Sequence, residues 1–422
     1  MGSRTFIGLL EKIGLMPPRS SSQRPVRLGL DVPLLLATVT LVVFGLLMVY
    51  SASWDFAYQT RGDPTFTFKR QVLWLLLGVS IAVFLAWFNY RFLRRLVIPA
   101  MLVTVIALFA VVIIGDTRLG ASRGLLGGSI QPSELAKMVI IIYLAVWLDN
   151  RRGKLRDVSF GLAPLAVILG GIGGLILLQP DLSAVLTVFI LGGMMFFLAG
   201  GDLRQIAFLI LVGLFVVFII YITPFFPTAK ERIDAFFLGI QDLTLSSDHV
   251  KRSIEAFIKG GWFGVGIGKS ETKLFGLPFP HTDSIFAVVG EETGVFGATT
   301  LVFLYLVIVW RGLIISQNAP DRLGQILAGG LAFWLATEAS INMAVMVNLL
   351  PFAGNALPFI SAGGSSLVVC LAAIGILTNI ARQSVVIKEQ EERTFGAVVD
   401  LRRRDWRRSV SRPVRPAGSK RR

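Results

Sequence analysis

The chain has 422 residues, of which 54% are hydrophobic and only 16% charged, against roughly 25% charged in a soluble domain. With a mean hydropathy of +0.71 this excludes a soluble globular protein and a disordered one, and leaves a polytopic membrane protein. The net charge is +15, while a single cysteine, Cys370, and two histidines, His249 and His281, exclude a disulfide framework and argue against a Cys- or His-based metal site.

Residues 1–29 carry Arg4, Lys12, Arg19, Arg24 and Arg27 without a signal-like apolar core that ends in a small-residue cleavage site. They read as a cytoplasmic N-terminal segment with no cleaved leader. Ten apolar runs follow, each near the ~20 residues that a helix needs to cross a bilayer. They cover 30–50, 70–88, 95–115, 133–149, 160–178, 182–200, 205–223, 284–310, 322–348 and 356–381. The expected fold is all-α, a polytopic membrane protein whose ten transmembrane helices occupy residues 30–382. Gly170, Gly171, Gly173 and Gly174 in the fifth run suit close helix packing in lipid.

The even-numbered short loops hold Arg91, Arg94 and Arg95, then Arg151, Arg152, Lys154 and Arg156, then Arg204, then Arg311 and Arg322. The odd short loops and their edges hold only Arg61, Lys69, Arg70, Arg118 and Arg123. The positive-inside rule therefore puts both termini in the cytoplasm. One outer connection, residues 224–283 between runs 7 and 8, is far longer than a structureless link. In it Val250, Ile254, Phe257 and Ile258 recur at helical spacing among Lys251, Arg252, Glu255 and Lys259. This predicts an amphipathic helix, either lying on the membrane surface or capping the bundle. Residues 383–422, most strongly from Lys388, form a basic, Pro-containing segment that reads as a disordered cytoplasmic tail. Beside a span, such a tail is a topology signal or a contact for anionic lipid rather than a nucleic-acid site.

Polar residues that a lipid-facing helix does not explain gather on the outer side. Arg70 and Gln71 open run 2, and Gly120-Ala121-Ser122-Arg123-Gly124 leads into Gln131-Pro132-Ser133-Glu134-Leu135-Ala136-Lys137. Gln179-Pro180-Asp181 separates runs 5 and 6, and Pro280-His281-Thr282-Asp283 closes the long loop. Pro351, Pro358, Ser361 and Gly363-Gly364-Ser365-Ser366 surround the entry to run 10. Pro132 suits a first helical turn, Glu134 suits a helix N-terminus, and Glu134 can pair with Lys137 three residues on. A charge at mid-helix costs about 2.5–3.5 kcal/mol on insertion scales. Glu134, Lys137, Glu291, Glu292 and Glu338 are therefore expected to face the protein interior or a wet cavity, as bundle ion pairs or as site residues. Glu338 has no partner visible in the sequence and reads as structural.

Asp283 stands at the water boundary of run 8, where ionisation is not penalised. Ala287, Gly290, Gly294 and Gly297 form one helical stripe below it, which lets a neighbour approach closely. A carboxylate on a cavity rim can act as general base on a sugar hydroxyl, and nearby cations can hold a pyrophosphate leaving group. The alternative is that Asp283 only caps the helix. His281 reads as a hydrogen-bonding or packing residue. Gly264-Val265-Gly266-Ile267-Gly268-Lys269 lacks the strand and helix context of a phosphate loop. Ser365 and Ser366 lack the base of a serine nucleophile.

Together and in order, QPSELAK (131–137), Gln179-Pro180-Asp181, His281-Thr282-Asp283 followed by Ile285-Phe286-Ala287-Val288, Gly290-Glu291-Glu292, Leu357-Pro358-Phe359-Ile360-Ser361 with Gly363-Gly364-Ser365-Ser366, and Tyr50-Ser51-Ala52-Ser53 resemble the SEDS family. This family (shape, elongation, division and sporulation) contains FtsW, RodA and SpoVE, and the resemblance covers roughly residues 30–382. It implies a peptidoglycan glycosyltransferase of the bacterial inner membrane that polymerises lipid II with release of undecaprenyl pyrophosphate. It implies Asp283 as the essential carboxylate and places Glu134, Lys137, Arg70 and Asp181 around the same outer cavity. With Arg123, Ser365 and Ser366 these are the candidate substrate-binding residues. No cofactor is expected to be required, with room for a divalent cation, Mg or Mn, at the pyrophosphate. The implied partner is a class B penicillin-binding protein, a transpeptidase, among other division or elongation membrane proteins.

Three positions depart from the family pattern. Gly124 follows Arg123 where Trp is usual, Ala362 stands where Tyr is usual, and Leu182-Ser183 follow Asp181 where a Gly is usual within two residues. Asp283 is retained, so activity is expected. Glu271-Thr272-Lys273-Leu274-Phe275 before Leu277-Pro278 is closer to FtsW than to RodA, which leans towards septal division over lateral elongation. The rival reading is a flippase for lipid-linked precursor, which should place its polar groups at the midplane between inverted repeats. A scaffold acting through its tails is a third reading.

Overall fold

The computed structural model describes residues 29–114, 117–118, 121–122, 131–179, 181–223 and 227–408, and Asp31–Ile387 form one compact unit. Arg123, Gly124 and Pro180 lie outside the described residues. Twelve helices are described: α1 (Val32–Arg61), α2 (Phe66–Trp87), α3 (Leu93–Ile114), α4 (Pro132–Asn150), α5 (Leu162–Leu177), α6 (Leu182–Leu198), α7 (Leu203–Ile222), α8 (Pro227–Gln241), α9 (Asp248–Gly260), α10 (Ile285–Gln317), α11 (Arg322–Met346) and α12 (Gly364–Arg408). The strand content among the described residues is a two-residue antiparallel pairing of Thr117–Arg118 with Ala121–Ser122.

Each of the ten apolar runs falls on one helix, α1–α7 and α10–α12, while α8 and α9 belong to the long connection. Among the described residues seven helices are long and apolar enough to cross a membrane, and α4, α5 and α6 are shorter or more polar. The chain is an all-helical, multi-pass membrane protein. Its outer helices carry rows of exposed apolar side chains, such as Phe208, Leu211, Phe215 and Phe218 on α7. Its centre is α11, rich in Ala and Gly, which packs on α4, α6 and α10 and buries nearly all of its length. Small residues let these helices approach closely where lipid supplies no hydrophobic drive.

Three boundaries differ from the apolar runs, each for a local reason. α1 continues past Tyr50 to Arg61 and stops at Gly62, whose φ of 70° is left-handed, because helical geometry does not require lipid. α12 begins at Gly364 rather than 356, since Pro358 and the left-handed Phe359 (φ 67°) keep the preceding stretch irregular. That stretch presses against α1 so closely that a Cβ on Gly45 would lie 2.3 Å from the Phe359 carbonyl oxygen. At its other end α12 stays helical to Arg408, so the segment expected to be disordered from 388 is helical up to that point. Its Glu, Arg and Leu residues are good helix formers. Residues 409–422 lie outside the described residues.

The amphipathic helix predicted in the long connection is α9. It packs on α10 and α11, with Val250, Ser253 and Ala256 buried and Phe257 edge-on to Phe286 at 5.4 Å, while Ile258, expected on the same face, is exposed. Of the two readings of this helix, the structure favours the cap on the bundle. The small-residue stripe below Asp283 is what receives it: a Cβ on Gly260 would lie 2.1 Å from the Gly290 carbonyl oxygen. The stripe is not one continuous helix face, because α10 breaks at Gly294 (φ 68°, ψ −168°).

Charge is distributed asymmetrically over the two ends of the bundle. At one end Arg311 forks onto Asp31 (2.7 Å), Arg91 pairs with Asp321 (2.7 Å), and Arg94 pairs with Asp149. The starts of α2, α4, α6, α10 and α12 lie at the other end, where the remaining polar residues converge.

Candidate active site

Three helix starts are tied together around Gln131 and Asp181. The Gln131 backbone N–H donates to Ser365 Oγ at 3.2 Å, and its side-chain amide donates to Asp181 Oδ2 at 3.3 Å. Ser133 Oγ donates to the same carboxylate oxygen at 3.2 Å. Asp181 Oδ1 accepts from Ser183 Oγ at 2.8 Å and from the Ala184 N–H at 3.3 Å, which caps α6. Ser183 thus helps to orient Asp181.

One turn deeper, Lys137 is buried between two carboxylates, with Nζ 2.7 Å from Glu134 Oε1 and 2.7 Å from Glu338 Oε1. Glu338 also accepts from Trp334 Nε1 at 3.3 Å and, through Oε2, from Asn355 Nδ2 at 3.0 Å. The Asn355 carbonyl accepts from Asn342 Nδ2 at 2.6 Å, and the same amide donates to the Asp283 carbonyl at 2.9 Å. An unbroken polar chain therefore runs from Glu134 through Lys137, Glu338, Asn355 and Asn342 to the backbone of Asp283. The i, i+3 pair expected from sequence is present, and Glu338, expected to be structural, has its partner on α4. Asn342 and Asn355 were not singled out by sequence reasoning, although a buried amide inside an apolar helix such as α11 is the kind of residue that needs a partner.

The segment that carries Asp283 is held from outside α10. The Ala362 N–H donates to the His281 carbonyl at 2.8 Å, and Ser361 Oγ donates to the Thr282 carbonyl at 2.7 Å. Ser361 itself receives the Gln71 amide on its carbonyl at 3.2 Å, which brings the start of α2 to the same place. The residue at the N-cap position of α10 is Ser284, not Asp283. Its hydroxyl donates to the Pro278 carbonyl at 2.9 Å and meets His249 Nδ1 at 3.0 Å. Asp283 is half-buried and borders a narrow depression with Asn342, Phe352 and Asn355.

A second buried cluster fastens the long connection to the membrane helices. Lys273 Nζ lies 2.6 Å from Glu292 Oε1 and donates to Ser51 Oγ at 3.0 Å; both charged side chains are within 2% of complete burial. Ser51 Oγ donates to Glu292 at 2.6 Å. Glu291 accepts from Ser270 Oγ and from the Glu271 N–H at 3.0 Å. The two adjacent carboxylates of α10 thus organise residues 270–273 from below.

Burial, followed by repulsion from Arg232, pushes the His249 imidazole down to about 4, and burial pushes His281 down to about 4. Both rings are neutral at pH 7. His249 stacks on Phe352 at 3.9 Å, and His281 stacks on Phe56 at 4.9 Å.

Of the sequence-derived site residues, Glu134, Lys137, Asp181 and Ser365 are brought into linked hydrogen-bonded groups. Ser366 is half-buried one residue further along α12. Arg70 is exposed on the first turns of α2, next to Gln71. Arg123 lies outside the described residues. Among the described residues no cluster of three or more His, Cys, Asp or Glu side chains offers a metal its ligands.

Residues 32–385 match the family described as cell cycle protein, which groups FtsW, RodA and SpoVE. The chain is 39% identical over 365 residues to a probable peptidoglycan glycosyltransferase FtsW of Trichlorobacter lovleyi, an alignment that covers 85% of this chain and 95% of the relative. It is 36% identical over 364 residues to the stage V sporulation protein E of Bacillus subtilis, with 84% and 97% covered. Its fold is similar to that of a chain from a solved peptidoglycan synthase complex described as coordinating polymerization and crosslinking. The TM-score is 0.67 at 26% identity, over 84% of this chain and 98% of that one.

Proposed function

This chain belongs to the FtsW, RodA and SpoVE family, and on that premise we propose that it is a peptidoglycan glycan-strand polymerase acting in septal wall synthesis. It joins lipid II units and releases undecaprenyl pyrophosphate. The 4-hydroxyl of the acceptor loses its proton to Asp283 while its oxygen attacks the anomeric carbon of the growing strand. The bond from that carbon to the pyrophosphate oxygen breaks, and the leaving group departs with the electron pair. A carboxylate is a suitable base because the hydroxyl needs deprotonation only as the new bond forms.

The observation that carries this reading is the polar chain from Glu134 to the backbone of Asp283, which links separate sequence motifs through residues of α4, α11 and the 355 segment. Lys137 is already neutralised by two carboxylates, so it positions Glu338 and, through Asn355 and Asn342, the Asp283 backbone. The exposed Arg70, with Arg123, is the better match for a pyrophosphate. Asp181, Ser365 and Ser366 shape the same rim. Because the depression at Asp283 is narrow, entry of a sugar requires displacement of the irregular 351–357 segment beside it. A flippase would gather its polar groups at mid-bundle between repeats, whereas these gather towards one end.

We read all ten apolar helices as membrane spans, with the Arg-rich end and both termini cytoplasmic and Asp283 extracytoplasmic. The partner is a class B penicillin-binding protein, whose transpeptidase would crosslink the new strand; in support, a solved neighbour of this fold comes from a peptidoglycan synthase complex described as coordinating polymerization and crosslinking. The test is purified chain, with that partner, plus lipid II, with glycan resolved on a gel. Asp283→Asn is expected to lower polymerisation by roughly 100-fold or more with an unchanged melting temperature. A folded Asp283→Asn protein that polymerises like the parent removes the mechanism.

A further inference from the structure

A second hollow, of about 260 Å³, lies between the outer turns of α1 and the 273–281 segment. Its walls include Trp54, Asp55, Phe56, Gln59, Lys273 and His281, and not Asp283. Trp54 and Phe56 keep 37% and 51% of their surface exposed, so aromatic surface, apart from the Phe56 face covered by His281, is accessible to a ligand. Gln59 Nε2 donates to Asp55 Oδ2 at 2.8 Å, which fixes a carboxylate and an amide side by side. His281 stacks on Phe56, and its Nδ1 is buried without a hydrogen-bond partner. The cation in the lining, Lys273, is neutralised by Glu292.

This lining is wrong for a pyrophosphate, because its one cation is already paired and Asp55 would repel an anion. It suits a neutral ring with hydroxyl and amide groups on its edge and an apolar face, which aromatic walls and a few oriented polar groups recognise. The volume is below that of a typical drug-sized site, which points to one pyranose rather than two. The sequence places the hollow's His281 two residues before Asp283, yet Asp283 is absent from its walls. Whatever it holds is therefore a neighbour of the reacting sugar and not that sugar itself.

We propose that this hollow is a saccharide subsite that grips a neutral N-acetylhexosamine of the growing glycan strand, one unit removed from the reacting centre. The inference rests on the polymerase reading and extends it, by giving the outer turns of α1 a part in strand retention. Held there, the strand stays with the protein between couplings, so the subsite governs product length.

The test uses the full chain in detergent with the fully N-acetylated chitotetraose (below, chitotetraose) as a neutral probe, followed by saturation-transfer NMR, and inorganic pyrophosphate as the anionic control. Parent and Asp283→Asn should bind chitotetraose alike. Trp54→Ala and Asp55→Ala should each weaken it by about tenfold, the loss expected for one charged hydrogen bond or one ring contact in a subsite, with pyrophosphate binding unaltered. With lipid II, Asp55→Asn should shorten strands more than it slows lipid II consumption. Chitotetraose binding that is indifferent to Trp54 and Asp55 in folded variants overturns the subsite, as does its absence from a parent that polymerises. Strand length and consumption falling in parallel also overturns it. Binding that depends on Trp54 in a chain that never polymerises lipid II, even with its partner, sustains the saccharide site and overturns the polymerase reading instead.

Discussion

Lys137 on α4 and Glu338 on α11 are 201 residues apart in sequence and 2.7 Å apart in space, with both side chains almost completely buried. Removal of Lys137 leaves two buried carboxylates, Glu134 and Glu338, without their cation, so Lys137→Ala should destabilise the folded protein by about 3–5 kcal/mol. Glu338→Ala leaves Lys137 paired with Glu134 but strands the Trp334 and Asn355 donors, and should cost about 1–3 kcal/mol. Glu338→Gln, whose single amide oxygen can accept from Trp334 or from Asn355 but not from both, should cost less than Glu338→Ala. Unfolding of the purified protein in detergent measures all three, and a Glu338→Ala variant as stable as the parent would show that the pair does not bind α4 to α11.

Much of this arrangement was legible in the sequence, and the remainder was hidden for identifiable reasons. Hydropathy found the ten helices because lipid demands apolar length. It missed the last turns of α1, which are helical without being apolar, and it began α12 too early because Pro358 and Phe359 interrupt a run that is apolar but irregular. The Glu134–Lys137 pair is local, so its spacing displayed it. Glu338, Asn342 and Asn355 show their purpose only when distant segments meet, as do Glu291 and Glu292, whose partners Ser270 and Lys273 sit about 20 residues upstream in a loop. Arg123 stood out by its motif alone.

Arg70 is exposed at the start of α2, while its neighbour Gln71 is buried against Ser361. Because the side chain is exposed, Arg70→Ala should change stability by no more than about 1 kcal/mol. If the guanidinium holds the pyrophosphate, the same change should raise KM for lipid II by roughly tenfold, the scale of one lost charged hydrogen bond. Steady-state kinetics and a melting curve separate the two effects; unchanged kinetics removes Arg70 from the site.

His281 supplies a pH dependence of known sign. Its folded value is about 4 against 6.5 when unfolded, so between those values the unfolded chain binds the proton and the folded chain does not. The stability that the neutral ring contributes is complete above about 6.5 and is lost as pH falls towards 4. At pH 5 the loss amounts to about 2 kcal/mol, from a separation of roughly 1.5 pH units. His281→Phe keeps a ring beside Phe56 and removes the titration. Melting temperatures at pH 7.5 and pH 5 should fall further for the parent than for this variant, and parallel falls would contradict the assignment.

Gly294 is where α10 breaks, and the 261–266 loop acts as a splint across the break. The N–H groups of Val295 and Phe296 lose their helical acceptors and donate instead to the carbonyls of Gly261 (2.9 Å) and Trp262 (3.2 Å). The carbonyls of Glu291 and Glu292, freed on the other side, accept from Val265 and Gly266, each at 3.0 Å. Two donors and two acceptors freed at the kink are thereby re-paired, as helix ends require. A Cβ at position 294 would stand 2.5 Å from both the Trp262 carbonyl oxygen and the Gly264 nitrogen, on a backbone with φ of 68°. Neither neighbour is a side chain that can swing aside. Gly294→Ala should cost at least 1–3 kcal/mol, roughly the strain of such a backbone, and should loosen the loop. Gly213→Ala on α7, where nothing lies within 4 Å, should be neutral or stabilising by up to about 1 kcal/mol. Hydrogen exchange at residues 261–266 reads the splint directly: it should quicken in Gly294→Ala and not in Gly213→Ala, and equal protection in both would mean that the loop holds its shape without the kink.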